Sequence, residues 1–394
     1  MRFLLVAALG LAACGTDPSP PTQPAAPAGG EVAVPADSGS LAPRLALAPD
    51  GRPVLSWVEP TAGGHALRTS TWTGSAWSEP GTADAGDRWF VNWADTPGVV
   101  PLADGRMLAH VLSMRPNGDS PYAYDIRLTA ANGDTSLLHD DGVAAEHGFV
   151  SWAPLPGEQT GMVWLDGRHQ TGGHGPHSAA MTLRYASVSP DGSRTAEAEL
   201  DARVCDCCPT ALAATASGLV AAYRDRSRDE IRDVAVVRLS DGTWTQPVVP
   251  HPDGWEIAGC PGNGPALAAA GDRVALAWFS DADSARVSLS LSEDGGATWG
   301  ERQQVDGGRP RGRVDVAVLD DGSPVVSWLE LTSDDTAEVR IQRFAGTTTS
   351  AQTVAEIPAS RASGIPQLAA LGDRVLVVWT DPEAGTIRSS VLDI

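Results

Sequence analysis

The sequence predicts an all-β protein, a β-propeller of four-stranded blades, and three observations carry that prediction. A tight Gly/Asp turn, followed five or six residues later by a bulky apolar residue, recurs along the chain. Tryptophan is abundant at 13, against 4 tyrosines and 5 phenylalanines, as expected if one Trp position is repeated. A short apolar run precedes each turn, and a polar loop and an alternating strand follow it, such as RVSLSLS or EVRIQRF.

The turn copies end at Trp57, Val111, Trp164, Tyr223, Trp278, Trp328 and Trp379, in steps of 54, 53, 59, 55, 50 and 51. Strands of five to seven residues at this period fit one four-stranded blade per repeat. Seven copies predict seven blades, with six blades and one irregular module as the alternative. The last copy ends at Ile394 after only three strands. Glu31-Val-Ala-Val34 can supply the missing outer strand, closing the ring with the two chain ends and removing a sheet edge.

The N-terminal segment is read differently. Arg2 followed by the apolar run Phe3 to Leu11 fits a signal peptide over 1–13 and is too short to span a bilayer. Leu11-Ala12-Ala13-Cys14 resembles a bacterial lipobox, which implies cleavage before Cys14 and acylation of its sulfur. Residues 14–40 are rich in Pro and Ala and read as a tether, leaving 41–394 for the propeller. Anchoring by lipid to the outer membrane is the expectation, since Gly15 lacks the aspartate that favours inner-membrane retention. A net charge of −21 argues against nucleic acid and anionic membrane surfaces as partners, and a monomer is expected.

One repeat carries a signature. Ser292-Glu-Asp294-Gly-Gly296-Ala-Thr-Trp299 matches the Asp-box, with relics ending at Trp77 and Trp244. Asp294 can bond the amides of its own turn, the glycines allow positive φ, and Trp299 can pack on the blade. In this the chain resembles the sialidase-like superfamily. The resemblance implies the propeller fold over the whole folded region, with the Asp-boxes as structural turns between third and fourth strands. It also implies a chemistry of an arginine triad, a tyrosine nucleophile with a glutamate, and an aspartate acid/base. The family's Arg-Ile-Pro motif is absent, APRLA at Arg44 being a faint echo, and no tyrosine follows Tyr223.

In such blades the loops before the first strand share a face with the loops between strands two and three. The chemically unusual segments all fall there. Candidate ligand-binding residues are Arg44, Arg224, Arg226, Arg228, Arg311, Arg313 and Arg361, with Trp93 and Trp152. For a hydrolase, Tyr223, Asp225, Glu230 and Asp281 are the candidate catalytic residues. RVCDCCPT and AGCPGNGP bring Cys205, Cys207, Cys208 and Cys260 to the same face. Excluding Cys14, four cysteines allow two bridges in three connectivities. Neighbouring Cys207 and Cys208 are poor partners, so one of the three is expected to reach Cys260. The competing reading is copper or zinc held by these thiols with His169, His174 and His177. The leading functional expectation is an exported lipoprotein that binds an anionic or carbohydrate ligand. A sialidase-type glycoside hydrolase and a Cys/His metal-binding protein are the alternatives.

Overall fold

The computed structural model describes residues 29–116, 120–170, 180–195, 197–346 and 349–394. Seven four-stranded antiparallel sheets follow one another along the chain, so the ring has seven blades. The inner strands are Leu41–Leu47, Gly98–Pro101, His147–Pro154, Ala211–Thr215, Ala266–Ala270, Pro310–Val318 and Gln367–Leu371. Each runs into a Gly/Asp turn and returns as the second strand, which holds the repeated anchor. Trp57, Val111, Trp164, Tyr223, Trp278, Trp328 and Trp379 are all buried, which is why the anchor recurs. Along a strand, residues i and i+2 share a face. Trp164 Nε1 thereby donates to Asp166 at 2.9 Å and Trp328 Nε1 to Glu330 at 2.6 Å, so these indoles are buried without losing their hydrogen bonds.

The ring closes with the two ends of the chain. Gly29–Val32 pairs antiparallel with Thr386–Asp393 as the outer strand of blade seven, Gly29 opposite Leu392 and Val32 opposite Ser389. The closing strand therefore begins two residues earlier than Glu31, and the propeller includes part of the segment read as tether. Cys14 and residues 1–28 lie outside the described residues, as do His174 and His177.

The Asp-box turn joins the third and fourth strands of blade five. Asp294 Oδ1 accepts the Thr298 N–H at 2.8 Å, Ser292 Oγ accepts the Gly296 N–H at 2.8 Å, and Gly295 and Gly296 have φ of 66° and 81°. A Cβ on Gly296 would come within 3.0 Å of Val220, so the turn also seats blade five on blade four.

Candidate functional site: the channel mouth

The inner strands enclose a cavity of about 860 Å³ lined by all seven blades. Their pairing registers define one layer of it. The residues opposite the position before each anchor are Arg44, Gly98, Ser151, Ala211, Ala266, Asp315 and Gln367. Blades six, seven and one thus contribute long polar side chains, while blades two, four and five contribute Gly or Ala. The channel is charged on one side and open on the other.

Three inner strands carry a local distortion at the same level. Ala42, Phe149 and Arg313 each have φ of 55°, and the register slips between Leu41 and Arg44, Gly148 and Ser151, and Gly312 and Asp315. A bulge re-aims the side chain that follows it, and strained non-glycine residues concentrate where function demands them. Here the residues after the bulges are Arg44, Ser151 and Asp315.

Arg44 donates to the carbonyl oxygens of Thr96 at 3.1 Å and Val150 at 2.6 Å, and its guanidinium stacks 3.8 Å from the Trp152 ring centroid. Burial pulls its pKa down to about 9, against the attraction of Asp95 and Asp315. Burial also pushes the Asp315 carboxyl up to about 7, although it accepts the Leu368 and Val316 N–H groups. Asp95 is likewise raised to about 7 by burial; it accepts the Phe149 N–H at 2.7 Å and the Tyr124 hydroxyl at 3.0 Å. The Asp95 carboxylate fits only because residue 148 is glycine, where a Cβ would sit 1.9 Å from Oδ2. Behind Asp95, the Tyr124 hydroxyl oxygen also lies 2.9 Å from a Glu146 carboxyl oxygen, and burial pushes Glu146 up to about 8. Trp93, in the loop leading into blade two, reaches across the channel to blades five, six and seven. Arg313 and Arg361 lie 4.7 and 6.0 Å from its ring, and a Cβ on Gly262 would come within 3.2 Å of it.

Other residues predicted for the site lie elsewhere or are already engaged. Arg224 is buried, with all three guanidinium nitrogens on carbonyls: Asn263 at 2.9 Å, Arg232 at 2.5 Å and Phe279 at 2.7 Å. Arg226 is buried and clamped to Glu230 at 3.0 Å. Both serve the fold, because buried charges are retained where they are paired, Arg224 with carbonyls and Arg226 with carboxylates. Arg313 donates to the Ser360 and Gly364 carbonyls, with its guanidinium over the Trp93 ring. Arg228, Arg311 and Arg361 are exposed. Tyr223 is buried and donates to Asp201 at 2.6 Å, Asp225 is half-buried, and exposed Asp281 follows the second strand of blade five. None of these three, nor Glu230, lines the cavity, so the predicted catalytic set does not assemble there. Asp95 and Asp315 were within reach of sequence reasoning, since each lies two residues after a residue singled out there, Trp93 and Arg313. Tyr124 and Glu146 carried no local signal.

Cys207 and Cys260 form a disulfide joining the loops that lead into blades four and five, with a Cα–Cα distance of 6.0 Å. Cys205 and Cys208 are free and buried, their sulfurs 3.1 Å apart. Two thiolates on one tetrahedral zinc would stand about 3.8 Å apart. With Cys207 in the disulfide and His169 exposed near Arg184, the described members of the predicted Cys/His set do not converge on a metal; His174 and His177 lie outside the described residues. A second cluster pairs buried His139 and His147, stacked at 3.6 Å and 9°, with Asp125, Asp141 and Asp166. An ion lies in the plane of an imidazole ligand, so parallel rings cannot share one. Arg115 and Arg168 already hold these carboxylates, and the cluster reads as a buried charge network.

These buried groups set a pH dependence. Asp95, Asp315 and Glu146 hold protons in the folded state up to about 7 or 8, and in the unfolded chain release them near the ordinary carboxyl values of 3.8 and 4.5. Their contribution therefore falls as pH rises through that window. Burial lowers His110 to about 3 and His139 to about 4 from 6.5, so theirs falls as pH drops below 6.5. Above pH 6.5 the three carboxyls outnumber the one group that acts the other way, the Cys205 thiol, which is lowered from 9.0 to about 7. We expect the urea midpoint to fall between pH 6.5 and 8, with a shallower slope in Asp95→Asn. A midpoint that rises over that range would refute the assignment.

No family model and no curated protein matches the sequence. Solved structures share the fold over most of the chain. The BP39L lectin from Burkholderia pseudomallei is 13% identical with a TM-score of 0.60, covering 91% of this chain and 96% of its own. An ulvan lyase, from a family of polysaccharide lyases, is 13% identical with a TM-score of 0.56, over 91% and 95%. A protein of unknown function from Dyadobacter fermentans is 13% identical at 0.50, over 92% and 98%. At such identities the likeness shows the fold. With the Asp-box and seven four-stranded blades, the chain is a sialidase-like β-propeller in architecture.

Proposed function

We propose that the channel mouth binds a carbohydrate or other anionic ligand, and that the chain is an exported lipoprotein anchored through Cys14. The observation that carries the binding reading is the cavity itself. It is lined by two indoles, Trp152 stacked on Arg44 and Trp93 on Arg313, with Asp95 and Asp315 nearby. Aromatic faces suit the apolar side of a sugar ring, and a few converging polar groups fix its orientation. Exposed Arg311 and Arg361 at the rim suit a carboxylate or sulfate. The lectin and the ulvan lyase that share the fold are in keeping with this class of ligand.

Calorimetric titration of the full chain with sialic acid, uronic-acid oligosaccharides and neutral oligosaccharides tests the reading. Binding should weaken at least about tenfold in Trp93→Ala and Trp152→Ala, and Arg361→Ala should weaken only the anionic ligands. Equal affinities in all three variants, or no binding in the millimolar range, would sink it.

A hydrolytic reading is favoured by one feature, the Asp95 carboxyl, which keeps its proton near neutral pH beside the cavity. Against it, no tyrosine among the described residues lines the channel, and Tyr124 is fully buried. Turnover of a fluorogenic sialoside that disappears in Asp95→Asn would support hydrolysis. No turnover at high protein concentration would end it.

A further inference from the structure

The four cysteines have an arrangement that neither the binding reading nor a structural staple uses. Cys205 and Cys208 are buried thiols in contact at 3.1 Å, and Cys205 Sγ lies 3.9 Å from Cys207 Sγ, one end of the Cys207–Cys260 bridge. Cys260, the other end, is exposed. Three sulfurs within 4.8 Å of one another thus run from a sealed dithiol to a solvent-facing disulfide. Arg232 Nη1 sits 3.2 Å from Cys205 Sγ, and the guanidinium is held there by Glu230 at 2.8 Å and Asp206 at 3.5 Å. We propose that these cysteines form an intramolecular thiol–disulfide relay, in which the buried pair passes electrons through the exposed bridge to a small or protein disulfide outside.

The chemistry balances within the chain. The Cys205 thiolate attacks Cys207 Sγ; the Cys205–Cys207 bond forms, the Cys207–Cys260 bond breaks, and the electron pair leaves on Cys260, which takes a proton from solvent. Cys208 then attacks Cys205 Sγ and expels Cys207, and the Cys208 proton ends on Cys207. The bridge has moved inward with no net oxidation. The Cys207–Cys260 dithiol can then reduce an external disulfide RS–SR to two RSH and restore its own bond. Cys205 suits the attacking role. Burial disfavours its ionisation, but the hydrogen bond with Cys208 and the charge of Arg232 outweigh it and leave the thiol at about 7. Cys208 is held well above its ordinary value by burial and by Cys205, so the two sulfurs have different tasks. Glu230 acts here as a positioning residue through Arg232.

Differential alkylation of the folded full chain tests the relay. The protein is first poised at two thiols per chain, Cys14 not counted, by air oxidation or by one equivalent of dithiothreitol. Folded protein should then react slowly with iodoacetamide at Cys260 and Cys207, leaving Cys205 joined to Cys208 in the fragmentation spectra. Cys205→Ser, checked by circular dichroism, should lose this labelling at least about tenfold. Arg232→Lys gives an independent readout, shifting the pH midpoint of the labelling rate. Label on Cys205 or Cys208 with the Cys207–Cys260 bridge intact would overturn the proposal. So would an absence of labelling over a time that fully labels unfolded protein, or an unchanged pH midpoint in Arg232→Lys.

Discussion

A chain starting after Ala36 should melt well below one starting at Gly29 and should self-associate. Gly29–Val32 supplies the fourth strand of blade seven, and Ser389 and Ser390 donate to the carbonyls of Val32 and Gly30. Arg388 pairs with Glu31 at 2.8 Å. Val32, Val34 and Ala36 pack on the cluster that contains Trp57, Leu376 and Val391, where blades seven and one meet. Losing two half-buried valines and four residues of ladder costs about 5 kcal/mol at ordinary values. At this chain length that is a fall of roughly 6 °C. The surface ion pair adds little to the sum. Self-association follows from a separate cause, because the Thr386–Asp393 strand would be left as an open edge. Thermal melting and size-exclusion chromatography read the two effects separately. A truncated chain that melts with the reference and elutes as a monomer would show that closure rests elsewhere.

That closing strand was legible because a repeat that stops one strand short asks for a donor, and the only alternating apolar stretch in the Pro/Ala-rich segment was EVAV. The structure shifts it by two residues. Pairing uses backbone groups, so glycines 29 and 30 serve as well as Val32 does, and composition alone could not mark the boundary. The anchors were legible for the opposite reason. Trp57, Trp164, Trp278, Trp328 and Trp379 must fill the same volume in every blade, and a repeated volume leaves a repeated letter.

The site was less legible, and the arginines show why. All 28 basic residues of the chain are arginine. On this face their spacing suggested a grip on an anion, but several instead reach the next blade's carbonyl oxygens. Arg44 reaches Thr96, Arg224 reaches Asn263, Arg313 reaches Gly364, and on the other face Arg273 reaches Gly322. Loops that join blades leave carbonyls without ladder partners, and a planar fork with five donors can satisfy two or three at once. A sequence shows the guanidinium and not the carbonyls it will meet. The same blindness hid Tyr124 and Glu146: Tyr124 meets Asp95, 29 residues earlier, and Glu146 meets Tyr124, 22 residues earlier.

Arg224→Leu should therefore cost stability and spare ligand affinity per folded molecule. The side chain bridges blades four and five, donating to Asn263, Arg232 and Phe279 with the Trp255 ring 4.8 Å away. Leucine would leave three carbonyls without donors in a space closed to water. Each orphaned group costs about 1 to 3 kcal/mol, so a total near 4 kcal/mol and a melting point lower by about 5 °C are expected. Lysine should not rescue it, because a single ammonium cannot span carbonyls that a fork reaches in three directions. Arg361→Ala is the matched contrast. That residue is exposed, touches only the Trp93 face, and should change stability by less than about 0.5 kcal/mol while weakening an anionic ligand. Thermal melting and calorimetric titration of both variants separate the two roles. If Arg224→Leu melts like the parent and loses the ligand, Arg224 belongs to the binding face and the blade-bridging account fails.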